Sequence, residues 1–451
     1  MTDDPDPLPT LRQAVAWHRD GAHDKAAEAY RALLRATPDN ALIWTNLGAA
    51  LRSQGHLHAA RICHRRALHH GPGNATAISN LGNALREDGE FEAARRMAVV
   101  EATGLSAGDP GTYARDLQGM GRWRASLAAL DTAISAAPQD AELRILRATS
   151  RFMTGDFAGG LEDYDQRFRY SPRSEPTRTS PRWRGGPATG RRLLVMAEQG
   201  LGDMVLVSRF LPMLRVIWPE IWLTSRGPTR RLFADVPYVD RVFRKDSPPE
   251  EGLEHAHVPA MDLLHIFGLH PDRCPPPAPL NIPPDSRVRA AHLTAPYAGM
   301  VKVGIAWAGS AGFAQAKRKA TDLWRFLDLA AIPGVQLFGM CKGAREAEIT
   351  AMGAGGLIVN TAGTDRDLAD AAALCEAMDL VITVDTGLAH IAGALGVPVW
   401  TLLARPAFWY WGAQGDRSYW YDSMRLIRQT EAGDWSGPFA RVRADLESMV
   451  L

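Results

Sequence analysis

The chain has 451 residues, which at roughly 150 residues per domain suggests about three domains. Its 51 Lys and Arg nearly balance its 50 Asp and Glu, leaving a net charge of +1, which argues against a nucleic-acid binder held by bulk charge. Hydrophobic residues at 46% argue against a disordered chain, and four cysteines with no CxxC spacing argue against a disulfide scaffold or a zinc module. The start, Met1-Thr2-Asp3-Asp4-Pro5-Asp6, is acidic and broken by proline, so it does not read as a signal peptide, and the expected location is the cytoplasm.

The first third repeats itself. Trp44, Leu47, Gly48, Leu51, Gly55, Ala60, Ala67 and Pro72 return 34 residues later as Ile78, Leu81, Gly82, Leu85, Gly89 and Ala94. Moving back by the same period, Trp17, Ala26, Leu33 and Pro38 fit, and with a two-residue slip so do Tyr113, Leu117, Gly121, Ala133 and Pro138. A weaker copy holds Phe152, Gly155, Phe157 and Tyr164. This period and this pattern of small and large positions resemble the tetratricopeptide repeat. Each unit is expected to be two short helices, with small residues where they approach and prolines after the second. Stacked units form a solenoid whose groove suits peptide or protein recognition; a rigid spacer or a dimerisation surface is the alternative.

Loop-forming residues follow at 171–190, rich in Ser, Pro, Arg and Gly. Leu193-Leu194-Val195-Met196-Ala197 then reads as a buried strand running into Glu198-Gln199-Gly200-Leu201-Gly202-Asp203 and a helical pattern, the opening of a nucleotide-type α/β fold. Further strands are expected at 221–224, 241–243 and 255–259. Prolines at 275–277, 279, 283 and 284 mark a linker. The pattern then restarts, with strands expected at 301–307, 335–340, 357–360, 380–384 and 397–403. Helices are expected between them at 322–331, 344–352, 368–376 and 388–395. Strict alternation predicts a parallel doubly wound sheet, and two such lobes with a hinge form a cleft lined by the loops at the strand ends. Residues 386–404 carry no charge for 19 residues but contain Gly387, Gly393, Gly396 and Pro398, so they read as a buried helix and strand, not an integral membrane segment.

Three of those loops are candidates for chemistry. In the first, Gly200 and Gly202 permit unusual backbone geometry, and Asp203 either caps the next helix or projects a carboxylate as general base. The second holds Gly309, Ser310 and Gly312, then Lys317-Arg318-Lys319, which form either a phosphate cradle or a solvated basic loop. The third, Val384-Asp385-Thr386-Gly387-Leu388-Ala389-His390, ends a strand and opens a helix, a natural anion site, with His390 facing either that site or the core. Aromatic residues cluster at 408–411 and 419–421, where packing is the default reading and stacking on a sugar or base the other. Asp163-Tyr164-Asp165 matches a DxD metal pattern but falls in the last repeat helix and is discounted.

Residues 198–212 and 384–395 together resemble glycosyltransferase family nine, the lipopolysaccharide heptosyltransferase type. The whole chain resembles bacterial proteins that fuse tetratricopeptide repeats to such a domain, and its layout is similar to O-linked N-acetylglucosamine transferase and to flagellin glycosyltransferases. The resemblance implies an α plus α/β fold: an N-terminal tetratricopeptide α-solenoid (1–170), then a GT-B type pair of Rossmann-like lobes. These are an acceptor-side lobe (171–285) and a nucleotide-sugar lobe (286–451). It implies Asp203 as the base, and Gly200, Gly202, Ser310, Asp385, Thr386, Gly387, Leu388 and His390 as donor-binding residues, together with a phosphate-contacting lysine, Lys317 or Lys319. The implied enzyme is an inverting, metal-independent glycosyltransferase with no cofactor beyond its nucleotide-sugar co-substrate. The implied acceptor is a protein, flagellin among the candidates, bound in the repeat groove. Two alternatives are a lipopolysaccharide or other glycan transferase whose repeats dock a partner, and an inactive repeat scaffold.

Overall fold

The structure, a computed structural model, describes residues 10–71, 74–88, 90, 94, 110–171, 177–309 and 316–450. The chain divides into two compact units, Met1–Leu146 and Arg147–Leu451.

The first unit is helical hairpins. Leu11–Arg19 pairs with His23–Ala36, Ala41–Ser53 with Leu57–His70, and Pro110–Gly119 with Trp123–Ala136. The turns within these hairpins place Gly21, Gly55 and Gly121 at φ of 80°, 79° and 72°, where a side chain is disfavoured, so the recurrent glycine is a backbone requirement. Asn40 and Asn74 cap the helices that follow them through side-chain oxygens. Gly48 marks a close approach: a Cβ there would fall 2.4 Å from the imidazole of buried His64. Helices end at Ala36 and Ala136, just before Pro38 and Pro138, as the proline spacing predicts. Pro72 and Gly89 lie outside the described residues.

The unit boundary falls inside helix Ala141–Thr154, so the end of that helix and its hairpin partner Phe157–Tyr164 belong to the second unit. Two parallel sheets follow. The first contains β1 (Arg192–Met196), β2 (Glu220–Ser225), β3 (Arg241–Arg244) and β4 (Ala256–Pro259), in the order β3-β2-β1-β4. The second contains β5 (Val301–Ala306), β6 (Val335–Gly339), β7 (Ile358–Asn360), β8 (Leu380–Val384), β9 (Val399–Leu403) and β10 (Met424–Arg428), in the order β10-β9-β8-β5-β6-β7. All strand pairs are parallel. The second lobe's core stacks Ile305, Ile382 and Val384 against Trp307, Phe326 and Phe439. The uncharged stretch is the helix Gly387–Ala394 followed by β9, and among the described residues no helix is long and apolar enough to cross a membrane.

The differences from expectation are local. β10 and the C-terminal helix Ser436–Val450 extend the second lobe beyond the expected strands. Helix Pro284–Thr294 begins directly on the proline linker, with Pro284 in its first turn, where a missing N–H costs nothing. The helices expected at 322–331 and 344–352 are broken into a 3-10 turn and a short α-helix each.

Candidate active site

β1 delivers the chain into a tight turn before helix Leu201–Val207. Gln199 in that turn has φ 59°, a left-handed conformation uncommon for a residue with a side chain. Contacts on both sides hold it. Glu198 is buried and accepts two hydrogen bonds from Arg167 (3.0 and 2.8 Å) and one from the Met261 amide (2.8 Å). Arg167 also donates to Asp262 (2.6 Å), which accepts two bonds from Arg182, so each buried charge has a partner. Gln199 itself donates to the Tyr164 hydroxyl at 3.0 Å.

Asp203 is the third residue of that helix. Its Oδ2 accepts the Gly200 amide at 2.6 Å, which satisfies an N–H that the helix leaves unpaired. Its Oδ1 accepts the Tyr410 hydroxyl at 2.5 Å. Asp203 is half-buried and therefore reachable from outside. Of the two expectations for Asp203, the structure shows the helix cap, at Oδ2, while Oδ1 is engaged by Tyr410.

In the second lobe, β8 ends at Val384 and helix Gly387–Ala394 starts two residues on. Thr386 is extended (φ −138°, ψ 170°) and its side chain does not cap the helix. Its hydroxyl pairs instead with that of Thr383 at 3.0 Å. The amides of Gly387 and Leu388 precede any acceptor in their own helix, so they are placed to meet an anion. Asp385 pairs with Lys319 at 2.6 Å, and Lys319 also sits 4.7 Å from the centre of the Phe408 ring. Lys317 lies in the same short helix, Ala316–Lys319, and Ser310 lies outside the described residues. Between the two lysines, Arg318 is half-buried and its Nε has no partner among the described residues. Burial lowers its pKa and Asp385 opposes the shift. Gly309, three residues past β5, lies so close that a Cβ would stand 3.3 Å from the Thr386 methyl.

The two lobes touch where these helices begin. A Cβ on Gly202 would fall 2.7 Å from the His390 ring and 3.1 Å from the Gly387 Cα. Only a residue without a side chain lets the helices start this close together. His390 is buried, bonded through Nδ1 to the Tyr421 hydroxyl at 3.0 Å and stacked on Trp411 with ring centres 4.9 Å apart. Burial pushes its pKa down to about 4, so it is neutral at pH 7. Gly200, Gly202, Asp203, Lys319, Asp385, Thr386, Gly387, Leu388 and His390 thus form one connected neighbourhood. His390 lies behind the opening, among aromatic rings.

Tyr410, Tyr164 and Gln199 hold the Asp203 loop, and of these the sequence presents Tyr410 only as one of several clustered aromatics. Buried Arg209 ties the first lobe to the linker through Pro275 O (3.1 Å) and to the second lobe through Trp420 O (3.1 Å). The DxD residues are engaged elsewhere. Asp163 is buried against Arg147 (2.7 Å) and Arg151 (3.0 Å), and Asp165 pairs with Arg184 at 3.2 Å. Among the described residues no group of three or more His, Cys, Asp or Glu could hold a metal ion.

Residues 287–419 match the sequence profile of glycosyltransferase family 9 (heptosyltransferase). Residues 10–41 and 114–173 match one tetratricopeptide repeat profile, and 74–99 match another. The family 9 match begins after the first lobe, so Asp203 lies outside it. Protein FlbA of Caulobacter vibrioides is 29% identical over 357 residues, which is 72% of this chain and 59% of that protein, so the chain spans about three-fifths of the length of this relative. Among solved structures, a glycosyl transferase family 9 protein from Veillonella parvula is 14% identical with a TM-score of 0.44, covering 59% of this chain and 100% of that one. The ADP-heptose LPS heptosyltransferase II of E. coli is 16% identical with a TM-score of 0.43, covering 57% and 98%. The chain carries tetratricopeptide repeats followed by a glycosyltransferase family 9 domain.

Proposed function

We propose that the chain moves a sugar from a nucleotide-sugar donor to an acceptor hydroxyl in the cytoplasm, the acceptor being a protein bound by the repeats. The observation that supports this is the meeting at Gly202 and Gly387, which puts a half-exposed carboxylate next to a helix start with unpaired amides. Asp203 takes the proton of the acceptor hydroxyl. The oxygen attacks the anomeric carbon, and the carbon–phosphate-oxygen bond breaks with its electrons passing to the nucleoside diphosphate. Attack opposite the leaving group inverts the anomeric configuration. The Gly387 and Leu388 amides, with Lys319 and Arg318, stabilise the departing diphosphate as its charge develops. Four positive or dipolar groups at that position make a bound metal unnecessary, and no cofactor beyond the donor is required.

Asp203→Asn keeps the shape and an oxygen for the Gly200 amide but removes the base. Transfer should fall about 100-fold or more, with nucleotide-dependent thermal stabilisation retained. Equal rates for the two proteins would remove the base assignment. Assays with chelator present test metal independence directly. Offering purified protein acceptors, flagellin first, beside lipopolysaccharide acceptors separates the two transferase readings. A chain that no nucleotide stabilises would be the inactive scaffold.

A further inference from the structure

We propose that Tyr410 is a positioning residue for Asp203: its hydroxyl holds the carboxylate in the orientation from which it receives the acceptor proton. The proposal rests on Asp203 being the base. Asp203 is held at both oxygens, by the Gly200 amide at one end and the Tyr410 hydroxyl at the other. The first bond comes from its own helix and the second from a loop 207 residues away in the other lobe. A carboxylate offers about four lone-pair positions, so two remain after these bonds for an incoming hydroxyl.

Tyr410 is itself fixed. It is buried, and its carbonyl accepts the Trp420 indole N–H at 2.5 Å. Its ring meets His390 edge-on at 5.8 Å. Its neighbour Trp409 stacks on Phe152 of the last repeat hairpin, with ring centres 4.2 Å apart and planes at 21°. Tyr164, from the same hairpin, grips Gln199 on the other side of the Asp203 turn. The last repeat hairpin therefore braces both supports of the carboxylate.

The chemistry is specific. A phenol O–H donated to one carboxylate oxygen, with the Gly200 amide on the other, fixes the plane of the Asp203 carboxylate. The titratable groups facing Asp203 are Tyr410, Tyr421, Tyr164 and His390. Burial raises the three tyrosines and lowers the histidine, so all four are neutral near pH 7. Asp385, the next carboxylate, is paired with Lys319.

The test uses the full-length chain with a donor and acceptor it transfers between. Tyr410→Phe keeps the ring and removes the donor. We expect kcat to fall about tenfold with donor KM unchanged, the split that loss of orientation at the reacting groups gives. Replacing Tyr410 with a fluorinated tyrosine, which keeps the ring and the O–H donor, should leave kcat within about twofold of the unsubstituted chain; it serves even if Tyr410→Phe folds poorly. The idea is overturned if Tyr410→Phe leaves kcat unchanged, or if the fluorinated tyrosine lowers it as far as Tyr410→Phe does, while Asp203→Asn abolishes transfer, since the base would then stand without its positioner. Full activity in Asp203→Asn would instead overturn the base reading, and this proposal with it.

Discussion

Two helix starts meet at this site and they are finished differently. Both follow a parallel strand and both are built on glycine. At Leu201–Val207 the chain supplies its own anion: Asp203 turns back and takes the Gly200 amide. At Gly387–Ala394 the corresponding internal partners are missing. Thr386 bonds Thr383, Asp385 bonds Lys319, and the first-turn amides are left without an acceptor from either residue. A helix start closed by its own carboxylate keeps a negative charge at the mouth; one left open invites a negative charge from outside. Placed side by side, they set a carboxylate beside an open helix start, which is the pairing that the proposed reaction needs.

The contact between the two starts is the part most open to disruption. Gly202→Val would drive methyl groups into the His390 ring and the Gly387 backbone. Overpacking of this kind costs about 1–3 kcal/mol of stability. A displacement near 1 Å at the reacting groups would lower kcat about 100-fold. Melting temperature and turnover measured together would show both; an unchanged rate would mean the two starts need not touch.

Acid tests the packing behind them. His390 is neutral in the fold with its pKa near 4, against an ordinary value of 6.5. Between those values the unfolded chain binds a proton that the folded chain does not, so stability declines as pH falls from about 6.5 and levels off below about 4. The limit for this one group is about 3 kcal/mol. Buried His64 in the repeat unit, with its pKa also near 4, adds a decline of the same sign. Denaturant midpoints from pH 7 to 4.5 should therefore fall, and less steeply in His390→Gln.

Removing charge from the open start should be milder. Lys319→Gln breaks the pair with Asp385 and takes a cation from the proposed diphosphate site. Donor affinity should weaken about tenfold, in line with the loss of one charge-assisted hydrogen bond at a partly exposed position. Isothermal titration with the nucleoside diphosphate reads this directly, and no change would exclude the lysine from that role.

Smallest is the support under the closed start. Tyr164→Phe removes the bond to Gln199 and leaves the ring packing. The expected cost is about 1 kcal/mol or less in stability, with kcat lowered a few-fold and nucleotide binding unchanged. An equal loss in donor binding would mean that the brace serves the open start as well.

The sequence disclosed those features whose cause is local. Repeats were legible because the described hairpin turns place glycine at positive φ and close approaches such as Gly48 need a small residue, so the same residues return at a fixed spacing. The alternation of the two lobes was legible because strands buried on both faces must be apolar runs. β10 was less visible for the converse reason. It lies at the sheet edge, and its Arg425 and Arg428 are only half-buried, so the apolar run is interrupted. The C-terminal helix does carry its signal, with Phe439, Val442 and Leu446 buried at helical spacing.

Site residues divide in the same way. Asp203, Asp385, Thr386 and Gly387 announce themselves because a strand, a glycine turn and a helix start are consecutive in the chain. What each of them bonds to is not local. That Asp203 meets Tyr410, that His390 is wrapped in aromatic rings, and that Lys319 faces Asp385 all depend on how separate loops close on one another. Sequence alone settled the repeats, the glycine turns and the alternation of most strands and helices, because backbone geometry and burial act over a few residues. Tertiary structure alone decided the partners of each carboxylate and the charge state of the histidine, because those are set by contacts and desolvation between segments up to 207 residues apart.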